Sequence, residues 1–398
     1  MIVSMNPSRE GKSKQLLFTV PTRLGTVVRE MSAVTRHNET GNETTFSMPA
    51  TLLSYYQLKQ DWPDAEYTGE VKTHRKWVLS QRKQRVSIKR GRDIQTSDKR
   101  MRDKDQTIGL NLLMEGSCLL ADEMGYGKTV QACAALDHMQ TMDSQVLVLA
   151  PKSALYVWHE HVLEYTNYTP FIVHGTKQAS ELAAYEEHEG PKVLIATHAG
   201  ATKYSKIRHY GNIAAEGEAG PFNRAWDVVA LDEAHRAGRT TKARALRACW
   251  EIARTAHVRW AITGTPVERT PEELFMIMEF VDNELFHSVS AARKRLCMVT
   301  NEYFGGKTNH GLHPYKEEEY RWLLSPYMLR RKMDEDNMPE ALPPRHILLP
   351  MEGKQGTAYR NMAKHQLAMG NGGMLTGEDS LKKNQVLTWI ATATPEVD

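Results

Sequence analysis

The 398-residue chain contains few cysteines and no long hydrophobic run. Its four cysteines show neither metal-type nor C-x-x-C spacing, so we interpret them as packing residues of a protein in a reducing compartment. No apolar run approaches the roughly eighteen residues that a transmembrane helix needs, and the first ten residues lack the apolar core of a signal peptide. These absences predict a soluble intracellular protein without a membrane partner, cytoplasmic if its source is a bacterium or a virus of bacteria and nuclear if eukaryotic.

One segment has the composition of a phosphate-binding loop. The sequence Asp-Glu-Met-Gly-Tyr-Gly-Lys-Thr, at 122–129, follows a short apolar run and precedes a helix-compatible stretch. Its glycines permit positive φ angles and bring backbone N–H groups close to an anion. Lys128 can then reach the β- and γ-phosphates of a nucleotide, and the Thr129 hydroxyl can ligate Mg²⁺. Asp122 stands where the full pattern has its first glycine, and the alternative interpretation is a glycine turn with an exposed lysine.

A second motif lies at the end of another apolar run, Trp-Asp-Val-Val-Ala-Leu-Asp-Glu-Ala-His at 226–235. Successive strand residues face opposite sides, so the two carboxylates at the strand end can take different roles. Asp232 is placed to hold Mg²⁺, directly or through water, and Glu233 to polarise the water that attacks the γ-phosphate. An isolated Asp-Glu pair would be an ordinary solvated strand end, but two such motifs in one chain favour the catalytic interpretation.

Six short apolar runs alternate with helical patterns between residues 101 and 285. The runs are 118–121, 146–150, 171–173, 193–196, 228–231 and 260–263. Continuous apolar strands separated by helices predict a parallel sheet covered on both faces. Such sheets bind ligands at the carboxyl ends of their strands, where both motifs fall. The pattern predicts an α/β fold with a RecA-like parallel sheet flanked by helices.

Several short segments, in one order, resemble the motifs of helicase superfamily two, and most closely those of the SWI/SNF-type DNA-translocating ATPases. Residues 122–129 and 232–235 are similar to motifs I and II. Further similar segments are Val148–Ser153 with Trp158, Ile195–His198, Ala261–Pro266 and Tyr327–Arg331. The resemblance extends over residues 100–360. It implies ATP hydrolysis with Mg²⁺, coupled to binding of double-stranded DNA through its backbone.

The resemblance also implies roles for individual residues. Those implied to bind ATP are Gln106, which would read the adenine, and Asp122, Glu123, Met124, Gly125, Tyr126, Gly127, Lys128 and Thr129. Those implied to contact the DNA backbone are Lys152, Ser153, Thr197 and His198. Those implied to couple the nucleotide state to DNA are His235, Thr263, Gly264 and Thr265. Ser153 has a second interpretation, as the N-cap of the helix that follows its strand.

The net charge of +3 is unevenly distributed along the chain. Residues 72–104 contain thirteen Lys and Arg against three Asp, so this block carries +10. A block of this kind is either a solvated flexible linker or a patch for phosphate backbones. Beside a nucleic-acid motor we favour the second interpretation, because phosphate contacts supply most sequence-independent affinity for DNA.

The chain order predicts four pieces. They are a polar and basic, irregular N-terminal region of unknown fold at 1–100 with one short strand at 16–20, the RecA-like ATP-binding lobe at 101–285, a helical protrusion at 286–345, and a connection toward a second RecA-like lobe at 346–398.

The second lobe of the resembled family, with its arginine fingers, is expected outside these residues, in cis or in trans. An arginine finger is worth about 10³–10⁵ in turnover, so weak or absent ATP hydrolysis is expected without that lobe. Arg330 and Arg331 are expected on the protrusion, away from the nucleotide.

Two other interpretations remain open at this point. The chain could be another superfamily-two member, such as an RNA helicase or a restriction-enzyme motor. It could also be a non-catalytic module that binds nucleotide and DNA. The form of motif I and the Met-Leu-Arg-Arg stretch at 328–331 favour the translocase, and the intact residues of motifs I and II argue against a loss of catalysis.

Overall fold

The structure, a computed structural model, divides into two compact units, Met1–Met333 and Asp334–Asp398. The residues that it describes are 1–6, 14–24, 28, 34–205, 220–237, 244–283, 285–286, 288–301, 307–332, 353–365, 367–370 and 373–376.

The N-terminal region contains a five-stranded sheet. Its strands are β1 (Ile2–Asn6), β2 (Gln15–Pro21), β3 (Thr35–Thr40), β4 (Glu43–Pro49) and β5 (Glu66–Tyr67), in the order β3-β4-β2-β1-β5. All neighbouring pairs are antiparallel except β1 with β5. In β2 the alternate residues Leu16, Phe18 and Val20 are buried, as expected of a strand with one face on a core. The short strand at 16–20 is therefore confirmed, whereas the expectation of an irregular region is wrong.

Two helices connect this sheet to the rest of the first unit, α1 (Leu52–Asp61) and α2 (Gly69–Lys89). Helix α2 contains much of the basic block, so a flexible linker is the wrong interpretation for this part. The guanidinium of Arg82 stacks on the ring of Trp322, with 4.2 Å between the guanidinium carbon and the ring centroid. Arg85 donates to the carbonyl oxygen of Ser117 at 2.7 Å. These side chains attach α2 to other parts of the first unit and are unavailable as free phosphate contacts.

The central sheet of the first unit has seven strands. The strands that follow β5 are, in chain order from β6 to β14, Cys118–Leu120, Gln145–Ala150, Thr169–Val173, Lys192–Thr197, Trp226–Asp232, Ala256–Ile262, Cys297–Asn301, Lys307–Leu312 and Met328–Leu329. Of these nine, β12 and β13 form a separate hairpin and the other seven form the central sheet. The central sheet has the order β14-β6-β11-β10-β7-β9-β8, and all of its strand pairs are parallel. Each of the six predicted apolar runs falls on one of these strands, so the predicted RecA-like parallel sheet is confirmed.

Helices cover both faces of this sheet. They are α3 (Lys104–Met114), α4 (Lys128–Met139), α5 (Leu155–Tyr165), α6 (Gln178–Glu187), α7 (His198–Tyr204), α8 (Arg244–Ala253) and α9 (Pro271–Val281). Adjacent residues of one strand enter different cores, because Leu119 belongs to one hydrophobic cluster and Leu120 to the other. The four cysteines are buried and free, as the packing interpretation predicted.

The segment predicted to be a helical protrusion contains two helices, α10 (Val289–Leu296) and α11 (Glu317–Leu324), together with the β12–β13 hairpin. The chain then returns to the central sheet, where β14 pairs with β6. Leu329 is buried in the hydrophobic cluster that also contains Leu120. The expected position of Arg330 and Arg331 on the protrusion is therefore wrong, because they directly follow a strand of the lobe.

The described part of the second unit consists of α12 (Gly353–His365) and an antiparallel pair, β15 (Leu367–Gly370) and β16 (Gly373–Thr376). Much of the predicted connection at 346–398 lies outside the described residues. Among the helices that the structure describes, none combines the length and apolar character that crossing a membrane requires.

Candidate nucleotide-binding site

The sequence motifs meet at one edge of the central sheet. Strands β6, β11 and β10 are neighbours and run parallel, so their carboxyl ends lie side by side. The phosphate loop follows β6, Asp232 ends β10, and Thr263 follows β11. The backbone N–H of Thr263 donates to the carbonyl oxygen of Leu120 at 3.1 Å, which extends the ladder to the start of the loop. Ligands of parallel α/β sheets bind at this edge.

The two glycines of the loop adopt the backbone angles that the sequence predicts. Gly125 has a φ of 87° and Gly127 a φ of 67°, in the left-handed region that favours glycine. A Cβ atom on Gly127 would lie 2.7 Å from Nε2 of Gln106, so any other residue here would displace the Gln106 side chain. Helix α4 begins immediately afterwards at Lys128. The loop thus directs a helix N-terminus, with its free N–H groups, toward the edge of the sheet.

The Lys128 ammonium folds back onto its own loop. Its Nζ donates to the carbonyl oxygens of Asp122 at 2.8 Å and Glu123 at 3.0 Å. Burial lowers the pKa of Lys128, and the nearby carboxylate of Glu233 opposes this shift. Two of the three donors of the ammonium are thus bonded to carbonyl oxygens of the loop, which hold the lysine at the site.

Asp122 forms an ion pair that the sequence analysis did not find. Its carboxylate is fully buried, and the guanidinium of Arg331 binds it through Nε, 3.0 Å from Oδ1, and through Nη2. The one sign of this ion pair in the sequence is Asp122 itself, which stands where the full loop pattern has its first glycine. A carboxylate that is buried there needs a counter-ion.

The side chain of Gln106 is hydrogen-bonded to the phosphate loop. It is 2% exposed, its Oε1 accepts from the N–H of Arg102 at 2.8 Å, and its Nε2 donates to the carbonyl oxygen of Tyr126 at 3.0 Å. Asp103 caps α3 by accepting from the backbone N–H of Gln106 at 2.8 Å. Both ends of the Gln106 amide are thus bonded to protein backbone, and its role as an adenine reader stays a prediction.

Asp232 is held by three neighbouring elements. The indole Nε1 of Trp158 donates to Oδ2 at 2.8 Å, and the backbone N–H of Glu233 donates to Oδ1 at 2.9 Å. The carbonyl oxygen of Asp232 is 2.8 Å from Nε2 of His198. Burial raises the pKa of the Asp232 carboxyl, and the bond from Trp158 opposes the shift. A nearby cation would complete the solvation of this carboxylate.

Glu233 has a strained backbone. Its φ of 45° is the single positive value among the described non-glycine residues, and such angles cluster at functional sites. Its Oε2 is buried without a hydrogen-bond partner and lies 3.3 Å from Nδ1 of His235. The turn thus leaves an acceptor oxygen of Glu233 without a hydrogen bond beside His235, and the role of Glu233 in polarising water stays a prediction.

Hydrogen bonds link the coupling residues to one another. Nδ1 of His235 lies 2.7 Å from Oγ1 of Thr263 and 3.3 Å from Oγ1 of Thr265. A Cβ atom on Gly264 would lie 3.3 Å from the side chain of Met124, so this glycine packs against the phosphate loop. The segment after β11 therefore contacts both sequence motifs.

The predicted DNA-contacting residues divide into two groups. Lys152 and Ser153 are exposed beyond β7, and the side chain of Ser153 caps no helix, because α5 begins at Leu155 after Ala154. Thr197 caps α7 by accepting from the N–H of Gly200 at 3.0 Å. His198 is 9% exposed and faces Asp232, and burial lowers its pKa. Its predicted contact with the DNA backbone, like those of Lys152, Ser153 and Thr197, stays a prediction.

The residues predicted to hold Mg²⁺, Thr129 and Asp232, are on the first turn of α4 and at the end of β10. Within the described ranges, no three His, Cys, Asp or Glu side chains converge as a metal cluster would require. Magnesium in nucleotide sites is held by one or two protein oxygens together with phosphates and water. One hydroxyl and one carboxylate fit that pattern, and the remaining desolvation of Asp232 favours a cation beside it.

The fold and this edge of the sheet define a P-loop nucleotide-binding lobe of the α/β class. The profile of the SNF2-related domain matches residues 57–393, most of the chain. The chain belongs to this family, which confirms the resemblance found in the sequence.

Two curated relatives and one solved structure are similar to parts of the chain. The chain is 29% identical over 252 residues to the ATP-dependent helicase FUN30 of Saccharomyces cerevisiae, covering 60% of the chain and 20% of the relative. It is 29% identical over 232 residues to the DNA annealing helicase and endonuclease ZRANB3 of Bos taurus, covering 56% and 20%. The Sulfolobus solfataricus SWI2/SNF2 ATPase core in complex with dsDNA aligns at 19% identity and a TM-score of 0.45 over 72% of this chain and 57% of that one. The chain spans about a fifth of the length of the first two relatives.

Proposed function

We propose that this chain is the ATP-binding lobe of a motor that moves along double-stranded DNA. The observation that carries the proposal is the meeting of the phosphate loop, Asp232, Glu233 and Thr263 at one edge of the sheet. A nucleotide-binding protein without hydrolysis would need the loop, but it would have no use for a strained carboxylate beside it.

In this proposal the two motifs divide the chemistry of phosphoryl transfer. Lys128 exchanges its two carbonyl partners for phosphate oxygens of ATP, and Glu233 orients the attacking water through its buried Oε2. Thr129 and Asp232 would hold Mg²⁺, which neutralises charge on the phosphate oxygens when bound. Trp158 keeps the Asp232 carboxylate in one orientation.

Coupling to DNA is proposed to run through the contact between motifs II and III. His235 is positioned by its Nδ1, which lies 3.3 Å from Oε2 of Glu233 and 2.7 Å from Oγ1 of Thr263. A change at the γ-phosphate that moves Glu233 would therefore move the segment after β11. The exposed Lys152 and Ser153 at the same edge of the sheet are the proposed contacts to phosphates of DNA.

Rapid turnover is proposed to depend on a second lobe, in cis or in trans. The charge that spreads over the γ-phosphate in the transition state needs an arginine in addition to Lys128. The guanidinium of Arg331 is already bound to Asp122 and is therefore a poor donor for this role. Adding a second lobe is expected to raise turnover about 10³-fold or more, whereas DNA alone is not.

Calorimetric titration with MgATP tests the nucleotide site. We expect Lys128→Ala to abolish binding without loss of the folded state. Lys177→Ala is the matched control, because Lys177 is an exposed lysine that follows β8 in the same lobe. Equal affinity in the wild type and Lys128→Ala would refute the proposed site.

A further inference from the structure

Arg331 lies two residues beyond β14 and is bonded to the phosphate loop through its backbone as well as its side chain. Its N–H donates to Oδ1 of Asp122 at 3.0 Å, and its carbonyl oxygen accepts from the N–H of Glu123 at 3.1 Å. The guanidinium binds the same carboxylate through Nε and Nη2. Residue 331 thus contacts the first two residues of the loop at once.

The ion pair between Asp122 and Arg331 is buried, and its geometry requires an arginine. Asp122 has no exposed surface, and the side chain of Arg331 is 16% exposed. A carboxylate without a partner in such a position is strongly destabilising. A guanidinium that binds both carboxylate oxygens also fixes the orientation of the carboxylate, which a point charge does not.

The same short segment reaches the other side of the loop. The guanidinium of Arg331 also donates to the carbonyl oxygen of Asp105, at the start of α3, and lies 5.4 Å from the ring centroid of Tyr126. The Tyr126 hydroxyl donates to the carbonyl oxygen of Lys332 at 2.7 Å. Residues 331–332 therefore contact the beginning and the tip of the loop.

These contacts lead directly to Lys128. Its Nζ is bonded to the carbonyl oxygens of Asp122 and Glu123, the same two residues that Arg331 holds. We propose that Arg331 is a positioning residue for the phosphate loop, acting through Asp122, and that the segment following β14 thereby sets the affinity of the loop for nucleotide. This inference rests on the proposed function, since it assumes that the loop binds ATP.

A displacement of residues 331–332 would then change the affinity of the loop for ATP, although neither residue contacts the nucleotide. The contacts on both sides of the loop move together, because they belong to two consecutive residues. Any partner or domain that pulls on this segment would weaken ATP binding, and by linkage bound ATP would hold the segment in place.

The test compares MgATP affinities of the 398-residue chain, measured by calorimetry well below the melting temperature. We expect Arg331→Gln to weaken binding about tenfold, or ~1.4 kcal/mol. Arg331→Lys keeps the charge but loses the two-pronged geometry, so we expect an intermediate affinity. Arg330→Gln removes an exposed neighbouring charge and should bind like the wild type.

Leu58→Ala distinguishes positioning from general stability. Leu58 is buried in the hydrophobic cluster of the N-terminal sheet, which is separate from the two clusters of the central sheet, so its truncation should lower the melting temperature while MgATP affinity stays within about twofold, as for a distant site. If Leu58→Ala and Arg331→Gln weaken binding equally, or if Arg331→Gln binds like the wild type, the positioning role is refuted. If Arg331→Gln does not fold, an unchanged affinity in Arg331→Lys refutes it instead. A wild-type chain that binds no MgATP would overturn the proposed function and this inference together.

Discussion

The indole Nε1 of Trp158 donates a hydrogen bond of 2.8 Å to Oδ2 of Asp232. This bond connects helix α5, which follows the exposed Lys152 and Ser153, to the carboxylate proposed to hold Mg²⁺. Trp158 is itself buried, so the bond is shielded from water. A contact between DNA and Lys152 or Ser153 could therefore reach the proposed metal site through α5 and the bond from Trp158 to Asp232.

Replacing this indole should weaken magnesium binding. Trp158→Phe keeps an aromatic ring but leaves Asp232 without its donor, and loss of such an orienting bond typically costs 10–100-fold in metal affinity. We expect the Mg²⁺ concentration for half-maximal ATP binding to rise about tenfold. Trp226→Phe is the matched control. The indole of Trp226 is also a buried donor, but it lies at the start of β10, at the opposite end of that strand from Asp232. An equal shift in both variants would contradict the role of Trp158.

Substitutions of Glu233 can separate the effect of its strained backbone on stability from the effect of its carboxylate on ATP hydrolysis. Glu233→Gly should abolish ATP hydrolysis but raise the free energy of unfolding by about 1 kcal/mol, because glycine tolerates the positive φ. Glu233→Ala removes the same carboxylate without relieving the backbone. Chemical denaturation of the two variants should therefore place the glycine above the alanine, and the reverse order would show that the turn is not strained.

The basic block can be dissected by exposure. Lys72, Lys76 and Lys83 of α2 are exposed, whereas Arg85 and Lys89 donate to the carbonyl oxygens of Ser117 and Ser325. If the exposed lysines contact DNA phosphates, replacing all three by glutamine should reduce the slope of log affinity against log salt by about 2.7. Replacing Arg85 should instead lower stability. An unchanged salt slope would show that the basic block stabilises the protein and does not contact DNA.

Lys89 predicts a pH dependence of stability. Burial lowers the pKa of Lys89 to about 8, and in the unfolded chain the value is about 10.4. Above pH 8 the unfolded state therefore holds this proton more tightly than the folded state, and stability rises with pH. Relative to Lys89→Met, the wild type should gain about 1.4 kcal/mol per pH unit between pH 8 and 10. Urea unfolding over this range, with Lys83→Met as the control for charge loss, should show that difference, and a flat difference would refute it.

Local patterns were sufficient for the central sheet and for much of the site. The strand ending at Asp232 is continuously apolar, and the loop glycines need their positive φ in any context, so both could be predicted from short segments. The N-terminal sheet was missed because its strands are half polar, and β3 shows no apolar alternation in the sequence.

Contacts between distant residues were not predictable in this way. The ion pair of Asp122 with Arg331 joins positions 209 residues apart, and no local property of either residue specifies the other. The resemblance implied that His198 contacts the DNA backbone, and the sequence offered no sign of its burial. Its burial follows from the hydrogen bond to the carbonyl oxygen of Asp232, which only the sheet order reveals.

The position of β14 also has a consequence for synthesis on the ribosome. The phosphate loop emerges long before Met328 and Leu329, so a nascent lobe has an unpaired β6 edge and a buried carboxylate that lacks its arginine. An open strand edge is a template for pairing with other chains. The nucleotide site should therefore become complete only after residue 331 has left the exit tunnel, and nascent chains stalled before that point should be the ones that depend on chaperones.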